Sequence, residues 1–551
     1  MKRRTLLRGM AGMIPALWTA RHVNAAALLE NALPGEQMIQ GPFQPSWQSL
    51  KQYQVPEWFR DAKFGIWAHW GPQCQPEHGD WYARSMYQEG SDSYKYHLQK
   101  YGHPSKFGFK DVINEWKAEN WDPDYLLSLY KKAGARYFVA LANHHDNFDN
   151  YNSKYQPWNA VNLGPKKDLI DGWAKAARKH ELLFGVSVHA SHAWTWYEPA
   201  QMADKKGPLA GVPYDGKITK AAGKNTWWNG YDPQDLYAQN HPLSAKAEGW
   251  DAFNQQWSWG GGASKPSKAY CEKFFNRTVD LINRYEPDLL YFDDTVLPLW
   301  PISDAGLRIA AHFYNSSIKR HGSLQAVLNG KILNEEQRQC MVWDIERGQS
   351  HQIEPYVWQT DTCIGSWHYD RRVYDKQGYK SAKTVIHTLA DIVSKNGNLL
   401  LSVPLRGDGT IDDAELAIVE GIGAWMQHNS EAIFGTRPWK IYGEGPAIEE
   451  AAPLKAQGFN EGKGKPFGPE DIRFTAKADS LYAIVLGTPA DGKVRIKSLA
   501  AGSSYYPTAI ARTELLGYGP VNVERTAEAL VVQLPDSLPG QDALCVKILQ
   551  A

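Results

Sequence analysis

Short apolar runs in this chain repeatedly end in side chains that do chemistry. His69 closes one run, Asn143, His144 and His145 another, His189 a third, and Asp293 and Asp294 a fourth. Later runs lead to Asn329 and Lys331, to Asp344 and Glu346, and to Gln359 and Asp361. Imidazoles and amides donate and accept hydrogen bonds, so such a set can read the hydroxyl groups of a sugar. Two carboxyl groups brought together can divide nucleophilic and acid–base work between them. One polar residue at one strand end is more often a helix cap than a catalyst. Agreement among many ends is the stronger signal.

The runs that would position these groups are Phe64–His69, Tyr137–His144, Leu183–His189, Leu289–Asp293, Gln325–Asn329, Met341–Glu346, Tyr356–Thr360 and Asn398–Val403. Between them lie stretches with helical periodicity: Asp122–Ala133, Asp168–Glu181, Lys268–Tyr285, Ala305–Arg320 and Ser381–Asn396. Alternating strands and helices predict an α/β protein with a (β/α)8-like barrel, whose functional groups gather at the C-terminal strand ends. The helical filler is not clean between every pair of strands, so an irregular barrel is expected. Residues 200–264 lack periodicity and are rich in Trp, Gly, Pro and Asn, as in a long loop covering a site. Past Thr436 the pattern changes to short strands such as Ile472–Ala476, Ser480–Leu486, Lys493–Lys497 and Leu530–Leu534. This predicts a catalytic domain over 38–436 and a C-terminal antiparallel β-sandwich over 437–551.

Lys plus Arg and Asp plus Glu both number 60, so no basic surplus exists to neutralise phosphates or an anionic membrane. Nucleic acid is therefore not an expected partner. The 23 Trp and 28 Tyr supply amphipathic rings suited to sugar faces, although a Trp-rich core would account for them too. The five cysteines are scattered and form no CxxC, which argues against a zinc or redox site. At the N-terminus, Arg3-Arg4 precedes a short apolar stretch and then small residues at Val23-Asn24-Ala25. Residues 1–27 thus read as a twin-arginine signal peptide, implying export to a bacterial periplasm rather than a membrane-spanning protein.

From Trp58 to about Pro446 the chain resembles the retaining α-L-fucosidases, glycoside hydrolase family 29. The resemblance rests on Trp58-Phe59-Arg60-Asp61-Ala62-Lys63-Phe64-Gly65, His69-Trp70-Gly71, His144-His145-Asp146, Gly164-Pro165-Lys166-Lys167-Asp168-Leu169, Lys395-Asn396-Gly397-Asn398-Leu399 and Asn429-Ser430-Glu431-Ala432-Ile433-Phe434-Gly435. It implies a retaining exo-α-L-fucosidase acting on a glycan or oligosaccharide, with no metal or other cofactor. No histidine pair stands at i, i+4 on a helix to suggest otherwise. Asp293, closing Leu289-Leu290-Tyr291-Phe292, matches the family's nucleophile, with Asp294 on the other face by strand alternation. Glu346 is the favoured acid/base, ahead of Asp344 and Glu354. Hydroxyl recognition falls by resemblance to His69, Trp81, His144 and His145.

Departures ring the sugar position. Asp80 replaces a Glu before Trp81, Asn143 a Lys, Asn147 a Gly, Ser187 a Tyr, and Gln359 a Glu; Lys331 stands near the place of an Arg. If Ser187 faces the pocket, His189 does too, which adds His189 to the substrate-binding set. The alternatives are a related α-glycosidase with another sugar, such as an α-L-galactoside, and a carbohydrate-binding protein without turnover.

Overall fold

The computed structural model describes residues 34–247, 257–450, 452, 455–456, 459–538, 540 and 542–551. The signal-like segment 1–27 lies outside the described residues. Eight parallel strands close into a barrel in sequence order. They are β1 (Phe64–Ala68), β2 (Tyr137–Asn143), β3 (Leu183–Val188), β4 (Leu289–Thr295), β5 (Val327–Lys331), β6 (Val342–Glu346), β7 (Trp358–Cys363) and β8 (Gly397–Ser402). Closure is made where Phe64 to Trp67 of β1 pair with Leu399 to Ser402 of β8. These strands are buried on both faces, which is why they read as near-continuous apolar runs rather than alternating ones.

Among the described residues, six long helices pack around the barrel: α1 (Pro123–Lys132), α2 (Leu169–Lys179), α3 (Lys268–Tyr285), α4 (Ala305–His321), α5 (Ala382–Ser394) and α6 (Asp413–Asn429). Several start at side-chain caps, such as Asp122, Asp168, Ser267, Ser381 and Asp412, each accepting a backbone N–H of the first turn. The expected irregularity lies between β5 and β7. There the described connections hold only a 3₁₀ turn at Gln337–Gln339, with no helix after β6.

Two departures from the sequence expectation matter for the site. Asn329 and Gln359 lie inside their strands rather than at the ends, because β5 and β7 run further than predicted; Asp344 lies inside β6, which ends at Glu346 as expected. The register of β4 against β5 also shifts: Tyr291 faces Asn329, but Thr295 faces Lys331. Asp293 and Asp294 sit within this bulge, a feature that re-aims side chains at barrel rims.

After the barrel, β9 (Arg437–Glu444), β10 (Ile472–Lys477), β11 (Ser480–Val485), β12 (Lys493–Ile496), β13 (Ile510–Leu515), β14 (Gly519–Pro520), β15 (Val523–Arg525), β16 (Leu530–Gln533) and β17 (Leu544–Gln550) form two antiparallel sheets. The larger has the order β14-β13-β17-β11-β10-β9 and the smaller β12-β16-β15. Phe474, Val485 and Ile548 of the first sheet share a core with Val494, Leu530 and Val532 of the second. The larger sheet is joined to the barrel helices by specific bonds. Trp425 donates to the Ala543 carbonyl at 2.9 Å, and buried Asp391 of α5 meets Lys395 at 2.7 Å and Arg473 of β10 at 2.6 Å. All five cysteines are buried, unpaired thiols.

Candidate active site

A cavity of about 600 Å³ opens at the C-terminal mouth of the barrel. Lys331, the last residue of β5, organises one side of it. Its Nζ lies 2.6 Å from Asp293 Oδ1 and 2.6 Å from Glu346 Oε2. The two carboxylate oxygens are therefore no more than twice 2.6 Å apart. Asp361 Oδ2 stands 3.9 Å from the same nitrogen. Asp293 Oδ2 meets His145 Nε2 and His189 Nδ1, each at 3.1 Å. The Asp293 side chain keeps 19% exposure and that of Glu346 26%, so both reach the cavity.

The electrostatics divide the two carboxyl groups. Burial pushes the Asp293 pKa up, but the Lys331 cation and the two imidazole contacts outweigh it and hold the group well below the usual carboxylate range. Burial raises Glu346 to about 7, with the Asp293 and Asp361 charges adding to the push and Lys331 opposing it. One group is thus kept ionised and the other protonated near neutrality, which is how acid and base roles are told apart. Beneath them, Tyr291 donates to Asp361 at 2.9 Å and contacts Asp344 at 3.3 Å, while Gln359 donates to Asp344 at 2.8 Å and accepts from Tyr137 at 3.0 Å. Burial raises Asp344 to about 6, and burial with the neighbouring Asp344 carries Asp361 well above its usual value. This buried pair therefore retains a proton.

The other side of the cavity is a set of imidazoles. His69, His144, His189 and His368 line it with Trp67, Trp81 and Trp367. Burial, followed by the neighbouring imidazoles, drives the pKa values of His69 and His144 well down, and burial lowers His189 to about 4. These rings are neutral near pH 7. Both ring nitrogens of His69 and His368, and Nε2 of His189, are buried without a hydrogen-bond partner. Buried polar atoms left in this way are ready for a polar ligand. Gln73 fixes one tautomer: its amide nitrogen lies 2.7 Å from His144 Nδ1 and 3.1 Å from Asp146, and its carbonyl accepts from Ala83 N–H at 3.3 Å. His144 Nδ1 therefore accepts, and Nε2 carries the proton. Two triads, His69–His144–His368 and His144–His145–His189, have ligand atoms within 4.8 Å of one another. The tautomer imposed by Gln73 puts a proton on the remaining nitrogen of the His144 shared by both, so the set suits hydroxyl groups better than an ion. Trp81 holds a left-handed backbone at φ 59°, a costly conformation for a bulky residue and one that clusters at functional sites.

A sequence model of the α-L-fucosidases matches residues 32–431, well over half of the chain. The chain belongs to the α-L-fucosidase family. Rat tissue α-L-fucosidase is 25% identical over 507 residues, covering 90% of each protein. The α-L-fucosidase of Branchiostoma floridae is 25% identical over 463 residues, 83% of this chain and 85% of its own. Among solved structures, Thermotoga maritima α-fucosidase in complex with a mechanism-based inhibitor superposes with a TM-score of 0.66 at 24% identity, over 92% of this chain and all of its own. At that identity the superposition shows a shared fold.

For this fucosidase family member, the structure sorts the predicted residues into different places. Asp293, Glu346, His69, Asp80, Trp81, His144 and His189 all line one cavity. His145, expected to read hydroxyls, stands behind Asp293 instead. Its Nδ1 donates to the His189 carbonyl at 2.7 Å and its Nε2 faces the carboxylate. Making both bonds needs a doubly protonated ring, which burial opposes and Asp293 favours. His189 likewise braces Asp293 through Nδ1, leaving Nε2 for the cavity. Ser187 is buried and not in the lining, so the condition that tied His189 to it is not met, although His189 itself lines the cavity. Asp294 turns toward Ser191 Oγ at 2.5 Å and His192 Nε2 at 2.9 Å. Asp80 accepts from the His368 backbone N–H at 2.7 Å and so also positions that residue. Glu354 bonds Ser350 and Arg338, a structural role.

Sequence reasoning missed Trp67, Ser85, Ile332, Trp367, His368 and Phe459 in the lining, whereas Trp257 comes from the segment expected to cover the site. The cluster Trp367-His368-Tyr369 just past β7 was a usable signal; Phe459, more than a hundred residues beyond the rim it joins, gave none.

Proposed function

We propose that this chain is a retaining exo-α-L-fucosidase that removes terminal α-L-fucosyl residues from glycans, with Asp293 as nucleophile and Glu346 as acid/base. The supporting observation is the pair of carboxylates held on one lysine nitrogen, within the roughly 5–5.5 Å separation that double displacement needs. In the first step Asp293 attacks the anomeric carbon, the bond to the leaving oxygen breaks, and Glu346 gives that oxygen its proton. Once Asp293 is a neutral ester, the charge that raised the Glu346 pKa is gone. Glu346 then accepts a proton from water as the water displaces Asp293. The neutral imidazoles His69 and His144, with the ring of His368, supply donors and acceptors to the sugar hydroxyls, and Trp67, Trp81 and Trp367 supply apolar surface. A cavity whose floor is closed by buried imidazoles accepts a chain end, which fits exo action.

The test is a 2-deoxy-2-fluoro-α-L-fucosyl fluoride trap followed by peptide mass mapping. One sugar mass on the peptide carrying Asp293 is expected. An adduct elsewhere overturns the assignment, and failure of the parent to turn over any α-L-fucoside overturns the activity.

Residues 38–436 would form the catalytic domain and 437–551 the accessory sandwich. Among the described residues no helix is long and apolar enough to cross a membrane. Arg3-Arg4 supports export by the twin-arginine route to the periplasm. Replacing both with Lys should leave the protein in the cytoplasmic fraction; unchanged export refutes this.

A further inference from the structure

Two strongly exposed apolar residues stand in the cavity lining: Ile332, 55% exposed, and Phe459, 54% exposed. Each is tied to the same side of the mouth. Ile332 directly follows Lys331, whose Nζ holds Glu346. It sits at φ 55°, a left-handed conformation that a β-branched side chain adopts only under strain. Phe459 comes from the far end of the chain, in the connection between β9 and β10, and it too has a left-handed backbone, at φ 56°.

The residues after Phe459 clasp the loop that follows Glu346. Asn460 Oδ1 accepts from Gln349 N–H at 2.9 Å, and its amide group donates to the Gln349 carbonyl at 2.9 Å. Glu461 N–H donates to the Arg347 carbonyl at 2.9 Å. The Glu461 carboxylate receives Arg347 Nε at 3.2 Å, Thr362 Oγ1 at 2.7 Å and Lys380 Nζ at 2.6 Å. A Cβ on Gly348 would come within 2.9 Å of the Ala456 carbonyl oxygen, so the two segments meet backbone to side-chain-free backbone. Phe459 is thus held at the rim by a clasp fastened one residue past Glu346.

We propose that Ile332 and Phe459 form the leaving-group subsite, a platform for a pyranose that turns its C–H face to the rim. The reasoning rests on the acid role assigned to Glu346 above. The group that protonates the leaving oxygen marks the side on which the departing sugar lies; Ile332 follows the lysine that holds that group, and Phe459 precedes the residues that clasp the loop after it. The side chains of Ile332 and Phe459 carry no hydrogen-bonding group, so this platform recognises shape and C–H face rather than a particular hydroxyl pattern. The platform spans both parts of the chain: the barrel supplies Ile332, and the segment leading into the sandwich supplies Phe459.

The experiment compares the full-length parent with Phe459→Ala and Ile332→Gly on two donors, an α-L-fucosyl disaccharide and α-L-fucosyl fluoride. Fluoride leaves without touching the rim. The expected result is a fall of about tenfold in kcat/KM on the disaccharide for Phe459→Ala, the size of one lost stacking contact, with the fluoride rate unchanged. Ile332→Gly, which relieves the backbone strain, should show the same split without a loss of melting temperature. Unchanged disaccharide hydrolysis in both variants overturns the proposal, and so does an equal loss on both donors, which would mean that the residues act through Glu346 or the fold. A parent inactive on both donors would instead refute the fucosidase reading beneath it.

Discussion

Two buried charge clusters in this molecule use similar parts to opposite ends. At the junction of barrel and sandwich, the single carboxylate of Asp391 is shared by two cations, Lys395 and Arg473. At the barrel mouth, the single cation of Lys331 faces four carboxyl groups: Asp293, Glu346, Asp361 and Asp344. Where cations are in excess the carboxylate is saturated: burial raises its pKa, the two cations more than reverse this, and the group stays ionised. Where carboxyl groups are in excess they compete for one charge, so one is held far down while others are pushed up toward neutrality. The first arrangement fixes structure, and the second stores a proton where it can be given away. The imbalance, rather than burial itself, separates a brace from a reactive centre.

The sharpest break of this comparison is Asp293→Asn. It should lower kcat for an aryl α-L-fucoside by on the order of 10⁴-fold, with melting temperature little changed. A variant that retains parental turnover would remove Asp293 from the mechanism. Asp391→Asn should do the reverse. It leaves two buried cations without a partner, costing about 3–5 kcal/mol of stability by urea titration, while turnover per folded molecule stays the same. The parent brace also has a defined pH window. The folded pKa of Asp391 is depressed, so its contribution is present above the unfolded value of about 3.9 and is lost as pH falls through the folded one. Glu346 runs the other way. With a folded value of about 7, its contribution is full below the unfolded pKa and is lost as pH rises through 7.

The smallest expected effect sharpens the comparison further. The proposed mechanism needs Asp293 ionised and Glu346 protonated, so the kcat/KM profile of the parent should fall on the alkaline side near pH 7. Lys331 lowers the pKa of both groups. In Lys331→Met both limbs should therefore move to higher pH, by about 1–3 units. A profile whose limbs stay in place would show that Lys331 does not set the charge of either group.

The barrel was legible because fully buried parallel strands carry their signature locally, and helix α3 was read to the residue. The strand ends were less so. Asn329 and Gln359 looked like rim residues, but pairing with neighbours carries β5 and β7 past them, and a local run of residues does not encode where its partner stops. The bulge that aims Asp293 and Asp294 apart is likewise a property of two strands together. The roles of His145 and His189 depended on knowing that both nitrogens face one carboxylate oxygen. Phe459 was invisible for the strongest reason: its place is set by Asn460 and Glu461 binding loops that follow strands laid down a hundred residues earlier.

That clasp couples two histories. Any recombination that exchanged the C-terminal module would withdraw Glu461 from Arg347, Thr362 and Lys380 at once. The new arrival would bring its own rim to the catalytic mouth. The Phe459 half of the preference for the departing sugar would travel with the module, while Ile332 and the choice of the sugar that is cut off would remain with the barrel.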